Sequence, residues 1–122
     1  MNAGDTYRRT SGGCHLWIVI SDPQRNPHEI IAVNLTSQRS WQDQSCIVLR
    51  GEHPFVRHES VVFYAEAKQT TAAQLEANFA KNLIQWLDPV PPELLRRIRD
   101  GARISARLPI GLKAILQAQG VI

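Results

Sequence analysis

The groups able to move a proton or grip an anion are concentrated between Arg50 and Tyr64, in the stretch RGEHPFVRHESVVFY. His53 and His58 carry imidazoles whose ordinary pKa of about 6.5 lets them take or give a proton near neutrality. Arg50 and Arg57 carry planar guanidinium forks that match a phosphate or a carboxylate. Glu52, Glu59 and Ser60 complete the set, and His15 stands upstream. Metal-free cleavage of a ribose-phosphate backbone calls for such groups. A base deprotonates the 2′-hydroxyl, an acid protonates the leaving 5′-oxygen, and fixed cations stabilise the charged phosphorane.

Other chemistries fit less well. Ser60 lacks the G-x-S-x-G turn of a serine hydrolase. His28, His53 and His58 have neither the i, i+4 helical spacing nor a CxxC partner, so no metal is expected, and no motif calls for a cofactor. Cys14 and Cys46 are far apart and read as reduced, half-buried thiols. Each candidate also has a bland reading. His53-Pro54 fits a loop histidine bonded to local backbone, and Arg57 to Ser60 fits a solvated turn holding a salt bridge. Trp41, in a polar loop, could stack on a base, cover a barrel end or fill a subunit contact.

The elements that must position these groups follow from periodicity. Cys46–Leu49 (CIVL) and Ser60–Tyr64 (SVVFY) read as strands flanking the charged stretch, which Gly51 and Pro54 mark as a loop. Upstream, Gly4–Arg9, His15–Ser21 and Ile30–Leu35 read as three further strands. The second is a continuous apolar run that suits a strand buried on both faces. Downstream, Leu75, Phe79 and Leu83 recur every fourth residue, predicting a helix from Thr71 to Leu87 that Pro89 stops. A second helix opens at Pro92-Glu93 with Leu94, Leu95, Ile98 and Ala102 inward and its arginines outward. A third covers Gly111 to Gln119. The expected fold is mostly β with C-terminal helices (α+β), a small antiparallel β-barrel or curled sheet with the helices on one side or end. It forms a single domain over residues 1–122, with the barrel at 4–68 and the helical part at 71–119.

Charge is uneven: residues 91–122 hold six basic and two acidic side chains, whereas the acidic and basic groups of residues 1–60 cancel. Such a cluster attracts phosphate or an acidic partner, or is simply a solvated helix face. No apolar run is long enough for a membrane span and the N-terminus has no apolar signal core, so the expected location is cytoplasmic.

In order along the chain, Gly4-Asp5, Trp17–Ser21 (WIVIS), Ala32–Ser37 (AVNLTS), His58–Val62 (HESVV) and Pro92–Ile98 (PELLRRI) resemble the MazF/PemK family. These are the ribonuclease toxins of bacterial toxin–antitoxin pairs. The resemblance covers most of the chain except about residues 70–90, which look like an insertion. It implies an SH3-like barrel, a homodimer, an antitoxin protein as partner and single-stranded RNA as ligand, without metal. Thr36 matches the family's catalytic threonine closing the third strand. Where the family has an arginine beside a proline, this chain has TSGGCHL, with His15 near that place and Arg8 and Arg9 before it.

Two functions follow as expectations: an endoribonuclease toxin, or a non-catalytic protein- or nucleic-acid-binding module on the same barrel. The residues expected at the catalytic groove are Thr36, His15, His58, Arg57 and His53. Those expected to contact nucleic acid are Arg8, Arg9, Ser37, Arg39, Trp41 and Arg50.

Overall fold

The computed structural model describes residues 1–13 and 15–122; the reading of Cys14 as a reduced thiol lies outside the described residues. The strands are β1 (Thr6–Arg9), β2 (Trp17–Val19), β3 (Ile30–Ser37), β4 (Ile47–Val48), β5 (Ser60–Thr70) and β6 (Ile84–Leu87). The helices are α1 (Ala72–Ala80), between β5 and β6, then α2 (Pro92–Ile104) and α3 (Ile110–Ala118). The strands form one antiparallel sheet in the order β4-β5-β3-β2-β1-β6. The fold is therefore α+β and mostly β. Its sheet is open, with β4 and β6 as the two edges.

β2 is buried on both faces, as its unbroken apolar run requires. Leu16, Ile18 and Ile20 join Val33, Leu35, Val48, Val62 and Tyr64 in a core closed by Leu94, Ile98 and Ala102 of α2 and Leu116 of α3. Trp17 and Val19 point the other way, into a second cluster with Tyr7, Ile30, Ala32, Leu75 of α1 and Ile84. The period of two sends alternate residues to these two cores. α1 covers one face and α2 with α3 the other.

The pairing of β3 with β5 sets the site. Ser37 lies opposite Ser60 and Thr36 opposite Val61, and the register shifts between Ala32 and Asn34, where the partners jump from Lys68 to Phe63. The extra residues of β5 bulge there, a feature that bends and twists a strand.

The helix expected from Thr71 to Leu87 is shorter. Thr71 caps it by accepting the Gln74 N–H at 3.0 Å, but it ends at Ala80. Asn82 adopts φ 59°, the left-handed conformation that terminates helices and that asparagine tolerates. Ile84–Leu87 then pairs with β1 from Arg9 to Thr6 as the sixth strand, one more than the five expected. The four-residue spacing misleads because only Leu75 is buried, whereas Phe79 and Leu83 are about half exposed, at 51% and 50%.

α2 begins at Pro92, as expected, and presents Leu94, Ile98 and Ala102 to the core. Its arginines do not all face outward. Arg97 reaches β4, where its guanidinium donates to the Ile47 carbonyl at 2.7 Å and pairs with the Glu52 carboxylate. Arg99 donates through Nε to the Ile20 carbonyl at 2.8 Å. These forks satisfy carbonyls at the ends of β2 and β4, so part of the C-terminal charge serves internal structure.

Candidate functional site

The loop from Arg50 to Glu59 is held at three points. At its start, Glu52 accepts the Leu49 N–H at 2.7 Å and the guanidinium of Arg97. The Arg97 fork keeps that carboxyl below its usual range despite partial burial. In the middle, His53 is 3% exposed. Its Nδ1 accepts the Phe55 N–H at 3.0 Å, so the neutral ring carries its proton on Nε2 and donates it to the Asp88 carbonyl. Thr6 donates to the same carbonyl at 2.6 Å. At its end, His58 Nε2 lies 2.9 Å from the Ser37 hydroxyl. Gly51, at φ +87°, supplies the left-handed turn that starts the loop.

Two adjoining clefts lie on either side of this loop. The smaller, of about 180 Å³, is lined by His15, Thr36, Ser37, Arg57, His58 and Ser60, with Phe55 and Val56 beneath. The larger, of about 730 Å³, is lined by His53, Pro54, Phe55, Arg57, His58, Trp86, Leu87 and Asp88. Phe55, Arg57 and His58 belong to both. The small cleft therefore brings together His15, Thr36, Arg57 and His58, four of the five residues expected at the catalytic groove, with Ser37, expected to contact nucleic acid, although the sequence places them in three separate segments. The fifth, His53, lines only the larger cleft.

The elements explain the convergence. Thr36 and Ser37 end β3 where it pairs with the first residues of β5, so the loop entering β5 must deliver His58 beside Ser37. Leu35 N–H bonds the Leu16 carbonyl at 3.1 Å, which carries the β2–β3 ladder one step beyond β2 and brings His15 level with the end of β3. His15 Nδ1 lies 2.9 Å from the Leu35 carbonyl. A carbonyl only accepts, so Nδ1 carries the proton and the Nε2 of neutral His15 keeps its lone pair. That is the tautomer a general base needs. Arg57 and His58 are exposed and can meet a ligand from solvent.

Other expected residues lie elsewhere. Arg8 donates to Gln85 at 2.8 Å across the β1–β6 pair. Arg9 borders a different depression with Ser11, Asn78, Leu83 and Ile84. Arg39 bonds the carbonyl of its neighbour Gln38, and Arg50 is exposed at the loop's first turn. Trp41 is 69% exposed beside the α2–α3 junction, where its carbonyl accepts from Arg107 at 3.3 Å. None of these five lines either cleft.

The sequence reading did not include Phe55, Trp86, Leu87 and Asp88 in the site. Phe55 stood inside the charged loop and offered a signal. The other three lay in a supposed helix and the turn after it, and nothing local announced the strand that carries them to the loop.

Among the described residues no group of three or more His, Cys, Asp or Glu side chains could hold a metal ion. No helix among the described residues is long and apolar enough to cross a membrane. No family model, curated protein or solved structure matches the chain.

Proposed function

We propose that this chain is a MazF/PemK-like toxin that binds single-stranded RNA in the small cleft and cleaves its backbone without a metal. The observation that carries this reading is the gathering of His15, Thr36, Arg57 and His58 around one cleft. Neutral His15, with its free Nε2, takes the proton of the 2′-hydroxyl. The 2′-oxygen attacks phosphorus, and the bond to the 5′-oxygen breaks as protonated His58 donates to it. The products are a 2′,3′-cyclic phosphate and a 5′-hydroxyl. Arg57 stabilises the dianionic phosphorane through its fork, and Thr36 orients a non-bridging oxygen. His53 has both ring nitrogens engaged, so its role is to fix the loop.

The same proposal reads the open, bulged sheet as a divergent SH3-like barrel, and includes a homodimer and a protein antitoxin as partner. The test is incubation of the purified protein with single-stranded RNA in EDTA. Cleavage that disappears in His58→Ala and falls in Thr36→Ala supports the enzyme. A wild-type chain that leaves RNA intact sinks it.

A second reading, a non-catalytic binding module, is favoured by one specific feature. The resembled family's arginine is missing, with only His15 near its place, so the cleft has one fixed cation fewer. RNA binding that depends on Arg57 with no cleavage at any pH would establish the module in place of the enzyme.

A further inference from the structure

The larger cleft has no part in the cleavage chemistry, yet it is the more built of the two. Its floor is a node in which His53 and Thr6 both bond the Asp88 carbonyl, clamping the loop onto the end of β6. Across that node Phe55 comes from the loop and Trp86 from β6, two aromatic residues from distant parts of the chain. Trp86 is steadied by Tyr7, whose ring meets it edge-on with centroids 5.6 Å apart. The Asp88 backbone is consumed by the node, while the residue itself stays exposed at the cleft wall. Arg57 and His58 form the border with the small cleft.

From this geometry, and resting on the RNA reading above, we infer that the larger cleft is a base-selecting subsite. It takes the nucleobase next to the phosphodiester held by Arg57 and His58, and it prefers a base with an exocyclic amine over uracil. Three features carry the inference. The clefts are continuous through Arg57 and His58, so a phosphate between those residues must send its neighbouring nucleotide one way or the other. The volume of about 730 Å³ lies within the range of small-ligand pockets. The lining combines what a splayed base requires, aromatic residues for its face and a polar group for its edge. A carboxylate accepts from the amino group of cytosine but repels the O4 carbonyl of uracil, so Asp88 discriminates between two pyrimidines of equal size.

The experiment measures binding of 2′-O-methyl oligo(C) and oligo(U), which cannot be cleaved through the 2′-oxygen, so affinity is read apart from catalysis. Oligo(C) should bind about 10-fold tighter than oligo(U), the scale of one hydrogen bond to a charged group. Asp88→Asn, at an exposed position whose structural bond uses only backbone, should bring the two ligands within about twofold of each other without lowering the melting temperature. Trp86→Leu should weaken both by about fivefold or more, and Trp86→Phe should restore most of that loss. Arg57→Ala should weaken both equally and preserve their ratio. Equal wild-type affinities, or a cytosine preference that survives Asp88→Asn, overturn the subsite while leaving RNA binding intact. Failure of the wild type to bind either oligomer overturns the RNA reading itself.

Discussion

The Ser37 hydroxyl lies 2.9 Å from Nε2 of His58, and Ser37 is itself paired with Ser60 in the β3–β5 ladder. Sheet register thus sets the position of the imidazole that the proposed mechanism uses as acid. Ser37→Ala removes the contact without touching the ladder, because the pairing uses backbone alone. Cleavage of single-stranded RNA should then fall about 10-fold in kcat with KM nearly unchanged, since a misplaced group costs transition-state rather than ground-state interaction. Ser37→Thr should recover most of the rate. Steady-state kinetics on a fluorogenic RNA checks this, and an unchanged kcat in Ser37→Ala would remove His58 from the acid role.

Gly101 leaves no room for a side chain where α2 packs against Tyr64 of β5 and Cys46. A Cβ there would lie 2.2 Å from the Tyr64 hydroxyl and 2.9 Å from Cys46 Cβ. Replacing a mid-helix glycine by alanine normally gains about 1 kcal/mol in helix propensity. Here the clash should reverse the sign, for a net loss of about 2 kcal/mol read from urea unfolding. Tyr64 is buried and donates to the Ile98 carbonyl at 2.6 Å, so it cannot swing away freely. In a Tyr64→Phe background the penalty for Gly101→Ala should shrink, and additivity of the two substitutions would argue against this contact.

Acid stability should depend on the pair that anchors the loop. The Arg97 fork holds the Glu52 carboxyl below its ordinary value of 4.5. Burial raises Asp43, but its hydrogen bonds with Ser105 and Ser45 outweigh that and leave it lowered. A depressed carboxyl contributes stability that is complete above its unfolded pKa and is lost as pH falls through the folded one. The urea midpoint of the wild type should fall as pH drops from about 5 to about 3. Glu52→Gln should start lower at neutral pH and fall less, the residual slope coming in part from Asp43. Parallel curves for the two proteins would mean that the pair contributes nothing.

Asn82 separates α1 from β6 at φ 59°. Asn82→Gly should be tolerated or slightly stabilising, because glycine enters the left-handed region freely. Asn82→Val should destabilise by about 1–2 kcal/mol, the cost of forcing a β-branched residue there. Thermal melts of the two variants against wild type decide it. A neutral valine variant would show that the turn can rearrange and that the helix end is not fixed by this residue.

Burial also suppresses the thiol of Cys46, pushing its pKa up to about 11. With Cys14→Ser removing the other thiol, a disulfide reagent at pH 8 should react only after the protein is denatured. Rapid modification of the native protein would show that the β4–α2 contact opens readily.

Local chemistry was enough to specify much of this protein. Short runs rich in β-branched and aromatic residues located β2 to β5 and the double burial of β2, and Pro92 with Leu94, Ile98 and Ala102 located α2 and its inner face. Residue type alone nominated His15, Arg57 and His58, because imidazole and guanidinium groups have the properties that phosphoryl chemistry uses; Thr36 was nominated only by the family resemblance. Tertiary structure decided the rest. Ile84–Leu87 continued a helical spacing and became a strand only because Asn82 ended the helix and the β1 edge offered backbone partners. That strand placed Trp86 and Asp88 against the loop, an encounter no local pattern encodes. His53 had the same intrinsic chemistry as His58, yet one is buried with both nitrogens occupied while the other lies exposed at the cleft. A residue's type determines what it is able to do. Its hydrogen-bond partners and burial determine whether that capacity is left free, and both depend on contacts made far along the chain.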